Sequence, residues 1–122
     1  MTQDSLFQGT CHCGQVGFEI TEQPKWLIDC NCSICRRLAP LWGHIDSSSF
    51  SQIGEGKTIS YMHGDRSLAF HTCSNCGCTT HWENHHPDYT HMAVNIRMCN
   101  PEVISEFRIR KFDGAETWEF VD

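Results

Sequence analysis

Cys73-Ser74-Asn75-Cys76-Gly77 is the stretch on which the reading of this chain turns. Two thiolates separated by two residues can grip one tetrahedral metal ion. A glycine after the second lets the backbone fold back, so that N–H groups point at sulfur. Such a knuckle supplies two ligands and needs a distant pair. Cys11-His12-Cys13-Gly14 offers it. Cys11, Cys13, Cys73 and Cys76 then make a closed four-thiolate site, joining the start of the chain to its middle.

A second constellation, Cys30-Asn31-Cys32-Ser33-Ile34-Cys35, has three thiols within six residues, followed by Arg36 and Arg37. Three protein thiolates leave the fourth position of a zinc ion for water or substrate. Four ligands plus three divide the work between a closed site for structure and an open one for chemistry. Cys30, Cys32 and Cys35 are then the catalytic candidates. Two other readings stay open. A fourth protein ligand, a histidine or Cys78, would make the cluster structural, and the thiols could also be reduced and metal-free.

The rest of the composition agrees with metal binding. Nine cysteines in 122 residues mean either disulfides or metal and redox chemistry. The count is odd and the spacings are those of ligands. The opening MTQDSLFQGT has neither a basic nor an apolar leader segment, and no apolar run approaches a membrane span. The expectation is a cytoplasmic protein with no membrane contact. The formal charge is −6, and seven thiolates with two zinc ions take it to about −9. With no stripe of Lys and Arg, a nucleic-acid partner is not expected.

The length fits one domain over residues 1–122. Short runs of alternating hydrophobicity between turn residues predict strands at Gln15–Ile20, Lys25–Asp29, Leu41–Ile45, Thr58–Met62, Ser67–His71, Thr79–Trp82, His91–Arg97 and Glu106–Lys111. Helical signal is confined to Ile34–Leu38, with Ser33 as its cap and Pro40 as its stop, and to Pro101–Ile104. The fold class is mainly β, with the cysteines in loops.

With "GTCHCGQVGFEI", "CNCSICRR" and "HTCSNCGCTTHW", and more weakly "VNIRM" and "KFDG", the chain resembles the glutathione-dependent formaldehyde-activating enzyme and centromere protein V-like family. "RRLAPLWGHI" and Gly77-Cys78-Thr79 are similar to the centromere protein V-like branch. The resemblance implies an Mss4-like zinc-containing fold of short antiparallel strands. It also implies two zinc ions on the seven cysteines already paired off. The activity it implies is a carbon–sulfur lyase reaction, in which a thiol such as glutathione and a small aldehyde such as formaldehyde form or release an adduct. Arg36 and Arg37 are then candidate partners for the carboxylates of glutathione, or else surface charges on a short turn. The alternative function is a zinc-stabilised binding module without catalysis. A zinc-buffering or thiol-redox protein is the third class.

Other residues carry paired readings. Trp42 either packs in the core or walls a pocket beside the open site. His44 and His71 could move protons there. His81, His85, His86 and His91 fall together in "HWENHHPDYTH"; a polar loop is favoured over a third metal site. His12 should face solvent. Cys78 and Cys99 read as small buried hydrophobes, with Cys78 within reach of a metal.

Overall fold

The computed structural model describes residues 6–62, 67–86 and 88–122. Residues 1–5, half of the stretch read for a leader, lie outside them. Among the described residues, eleven short strands form two sheets. β1 (Phe7–Thr10), β2 (Gly17–Ile20) and β5 (Phe50–Ile53) make an antiparallel sheet in the order β1-β2-β5. The other eight are β3 (Leu27–Cys30), β4 (Trp42–Asp46), β6 (Thr58–Met62), β7 (Leu68–Cys73), β8 (Thr79–Asn84), β9 (His91–Asn95), β10 (Ile109–Asp113) and β11 (Glu119–Phe120). They run in the order β11-β10-β3-β4-β9-β8-β7-β6. Among the described residues, helix is confined to α1 (Cys35–Leu38), α2 (Pro101–Ile104) and 3-10 turns at Ser47–Ser49 and Ile96–Met98.

The mainly β expectation is met, with three differences. First, β1, β5 and β11 carry no clean alternation of two, which is the signal that marks strands in a sequence. They exist because β2 and β10 pair with them. Second, β3 and β10 pair in parallel, with Phe112 opposite Cys30, so the sheet is not wholly antiparallel. Third, Ser33 does not cap α1. The turn already winds from the Cys32 carbonyl, which accepts from Arg36 N–H at 2.9 Å. Ile34 takes the cap position with no side-chain bond, and Ala39 ends the helix at φ 54° just before Pro40.

The small sheet covers the large one. Phe18 and Ile20 of β2 are fully buried in one core with Leu27, Trp42, Ile45, Val94 and Ile96. The Phe50 ring of β5 lies 4.8 Å from that of His81 on β8. This explains why β8 is buried along most of its length, although its sequence is Thr-Thr-His-Trp. Its polar atoms are satisfied internally: Thr80 Oγ1 bonds His81 Nδ1 at 2.9 Å. Asn95 closes the interior. Its Oδ1 accepts from Leu41 and Arg97 N–H, both at 3.1 Å, and its Nδ2 donates to the Thr79 carbonyl at 2.9 Å.

Candidate metal centres

Cys11 and Cys13 sit in the β1–β2 turn, while Cys73 ends β7 and Cys76 lies in the turn to β8. The four sulfurs all lie within 4.8 Å of one another, although Cys13 and Cys73 are 60 residues apart in sequence. Cys11–Cys13 and Cys13–Cys73 are both 3.7 Å Sγ to Sγ. Tetrahedral zinc with bonds of ~2.3 Å requires sulfurs ~3.8 Å apart. The donor set and its spacing therefore fit a zinc ion. Gly14 and Gly77 take φ 83° and 82°, as the knuckle turns require. Backbone N–H groups then aim at sulfur: Val16 at Cys11 (3.3 Å), and Asn75 and Cys76 at Cys73 (3.4 and 3.5 Å). The N–H of Cys76 leads in holding the Cys73 thiol low, and those of Cys13 and Cys78 bring Cys76 down to about 5. Burial pushes Cys11 up to about 11. Cys78 packs half-buried against this cluster, but the converging ligand set is the other four.

The second centre depends on the parallel pair. β3 and β10 run in the same direction, so the turns that leave them, after Cys30 and after Asp113, emerge side by side. Asn31 fastens them: its N–H donates to the Phe112 carbonyl (3.2 Å), its Nδ2 to Asp113 Oδ1 (3.2 Å), and its Oδ1 accepts from Ala115 N–H (3.1 Å). Cys30, Cys32 and Cys35 bring their sulfurs within 4.8 Å of one another. Gly114 lies against them. A Cβ there would sit 2.8 Å from Cys30 Sγ.

Trp42 resolves its two readings by serving both. It is 3% exposed, in the core, and its Nε1–H donates to Cys35 Sγ at 3.3 Å. The Cys35 thiol lies beside Cys30. Its neighbourhood, foremost, holds the Cys30 thiol down to about 6, with N–H donors at Cys32 and Gly114 assisting. The Cys35 thiol is pushed up by Cys30 and by burial. Here too three soft sulfur donors with oriented N–H groups fit zinc, and no fourth His, Cys, Asp or Glu converges among the described residues.

A cavity of about 340 Å³ opens at Cys30 and Cys35, walled by Trp42, Trp82, Phe112 and Trp118. His44 lines it; His71 does not. Desolvation first, and His91 next, lower the His44 imidazole below its ordinary value, although the residue as a whole is exposed. His71 instead bonds Thr58 (3.1 Å) and Glu83 (2.8 Å) and stacks on His81. Arg36 and Arg37 are exposed; Arg37 donates to the Ser33 carbonyl, and neither lines the cavity.

The histidine-rich stretch is not one polar loop. His81 is buried in β8 and His91 begins β9, leaving only His85 and His86 in the connection. No third ligand group converges there among the described residues. His12 is exposed and Cys99 buried, as expected. Gly114 and Trp118 are the site residues that composition and spacing miss. Their one local signal is the Asp113-Gly114 turn dipeptide.

Fold and geometry together define a small β protein with two cysteine clusters that could each hold a metal ion, one of four sulfurs and one of three. Residues 6–109 match the family described as "Glutathione-dependent formaldehyde-activating enzyme", and the chain belongs to that family. A Halomonas elongata protein named for glutathione-dependent formaldehyde activation is 31% identical over 81 residues, 66% of this chain and 48% of the relative. The chain thus spans about half the length of that relative. A crystal structure of a Rhodobacter sphaeroides protein superposes with a TM-score of 0.68 at 27% identity, covering 84% of this chain and 98% of the other. No helix among the described residues is long and apolar enough to cross a membrane.

Proposed function

We propose that the protein is an enzyme that forms or cleaves a carbon–sulfur bond between a small thiol and an aldehyde at Cys30, Cys32 and Cys35. Glutathione and formaldehyde are the pair that the family description names. The observation that carries the reading is the contrast between the two centres: four convergent sulfurs in one, and three in the other with a cavity opening directly from them. A zinc ion held there by three thiolates would supply an open position that favours the thiolate form of a substrate thiol.

The chain's own residues do the rest. Gly114 N–H and Trp42 Nε1–H fix the Cys30 and Cys35 sulfurs. The aromatic walls exclude water and hold the aldehyde beside the thiol. As the C–S bond forms, the thiol proton ends on the carbonyl oxygen. His44, at the cavity wall, is the group that carries it. Arg36 and Arg37 serve as carboxylate contacts outside the cavity, on the exposed face of α1.

The test is zinc per chain by elemental analysis together with turnover. Wild type should hold two zinc ions, and Cys32→Ser one, with loss of activity. Full turnover from a one-zinc Cys32→Ser protein would sink the proposal. A second reading, a zinc-stabilised binding module, draws support from Ile59 and Tyr61, exposed on one face of the edge strand β6. A wild-type chain that folds with one zinc and turns over no adduct would favour it.

A further inference from the structure

The cavity beside Cys30, about 340 Å³ in volume, is lined by more apolar surface than formaldehyde needs. Five aromatic rings line it: Trp42, Trp82, Phe112, Trp118 and Phe120. They are set edge to face, Trp42 with Trp82 (6.4 Å, 72°), Phe112 with Trp118 (5.1 Å, 80°) and Phe112 with Phe120 (5.2 Å, 71°). Such an array presents both ring faces and ring edges to an occupant. Among the described residues, no Lys or Arg lines it, and its side-chain polar groups other than the cysteines are His44, His91 and the indole N–H groups.

Trp118 supplies an independent observation. It is 71% exposed, and its backbone lies in the left-handed region at φ 59°, which a bulky residue adopts only when held there. The holding bonds are visible. Trp118 N–H donates to the Asp113 carbonyl at 2.7 Å, and Asp113 is itself tied by Asn31, Glu116 and Thr117. The turn thus fixes a large apolar ring at the mouth of the cavity, beside Gly114 and the Cys30 sulfur. Folding gains little from a ring left in water. Strain of this kind, held in place by its surroundings, belongs with a ligand-contacting role.

We propose that the site is built for an aldehyde that carries an apolar, ring-sized substituent, with Trp118 covering that ring at the cavity mouth. This rests on the carbon–sulfur reading and names its substrate class. The step balances without a further reagent. The thiol sulfur bonds the carbonyl carbon, the C=O π bond opens onto oxygen, and the thiol proton moves to that oxygen, giving a hemithioacetal.

The test separates the ring site from the chemistry. Tryptophan fluorescence of the zinc-loaded full chain is followed during titration with 2-phenylethanol and with ethanol, neither of which can form the adduct. Hemithioacetal formation with glutathione is then measured for phenylacetaldehyde and acetaldehyde, which differ by the ring alone. Saturable 2-phenylethanol binding at least tenfold tighter than ethanol is expected, weakened at least fivefold in Trp118→Ala. The kcat/KM for phenylacetaldehyde should exceed that for acetaldehyde at least tenfold, and this ratio should fall in the variant, chiefly through KM. Equal binding of the two alcohols, or equal kcat/KM for the two aldehydes, overturns the inference while leaving the carbon–sulfur reading standing. Ring-selective, Trp118-dependent binding with no adduct formed from either aldehyde supports the ring site and removes the lyase reading.

Discussion

Gly114 has no side chain, and Cys30 needs that space. A Cβ at this position would lie 2.8 Å from Cys30 Sγ and 3.1 Å from Cys32 Cβ, closer than ordinary contact allows. Neither neighbour can move without disturbing the three-sulfur geometry. Gly114→Ala should therefore weaken the second metal at least tenfold while circular dichroism stays unchanged. Zinc affinity measured by competition with a chelator checks this, and an unaltered second site would contradict it. His81 makes a different point. Burial first, and stacked His71 next, push its imidazole down to about 3. A histidine lowered on folding binds more protons when unfolded, so its stability is complete above about 6.5 and drains away as pH falls toward about 3. Each unit in that window is worth about 1.4 kcal/mol. His81→Gln should show a shallower loss of Tm between pH 6.5 and 5 than wild type. Parallel curves would show that His81 does not titrate on unfolding.

At the scale of elements, the decisive contact is one parallel pair. Among the described residues every other strand pairing is antiparallel, yet β3 and β10 run together, and that direction sets the Gly114 turn over the Cys30 cluster. Asn95 has the matching role inside. It ties the start of β4, the carbonyl of Thr79 on β8 and the 3-10 turn after β9. It is 3% exposed, so removing its amide strands two N–H groups and a carbonyl away from water. Asn95→Ala should cost about 3 kcal/mol, at 1–3 for each orphaned group with partial relaxation. Urea unfolding of the zinc-loaded protein measures it. A loss under about 1 kcal/mol would mean that water replaces the side chain.

Across the whole molecule, the closed centre acts as a clasp between the two sheets. It joins the β1–β2 turn of the small sheet to the β7–β8 turn of the large one, across 60 residues of sequence. Zinc binding of ~10–16 kcal/mol in small zinc peptides matches or exceeds a domain's whole stability of ~5–15 kcal/mol. Exhaustive chelation should unfold the chain, and Cys73→Ser should lower Tm far more than Cys32→Ser. Unchanged circular dichroism after complete zinc removal would show that the clasp is dispensable.

The sequence by itself determined the grouping of the cysteines into a four and a three. Thiols at spacings of one and two residues, with Gly14 and Gly77 behind two of the pairs, have few other physical uses, and local spacing survives any arrangement of the strands. It also determined most strands, because alternation of two is written along the chain: Thr58–Met62 came out with identical bounds. The rest belonged to tertiary structure. β1, β5 and β11 are strands because of their partners, and the buried state of His81 follows from the small sheet lying across β8. Gly114 and Trp118 lie some 80 residues beyond Cys30, and no local pattern says that their turn closes over it. That is decided by the direction in which β10 joins β3. Strand direction comes from how the chain packs its core as a whole, and short-range spacing does not encode it.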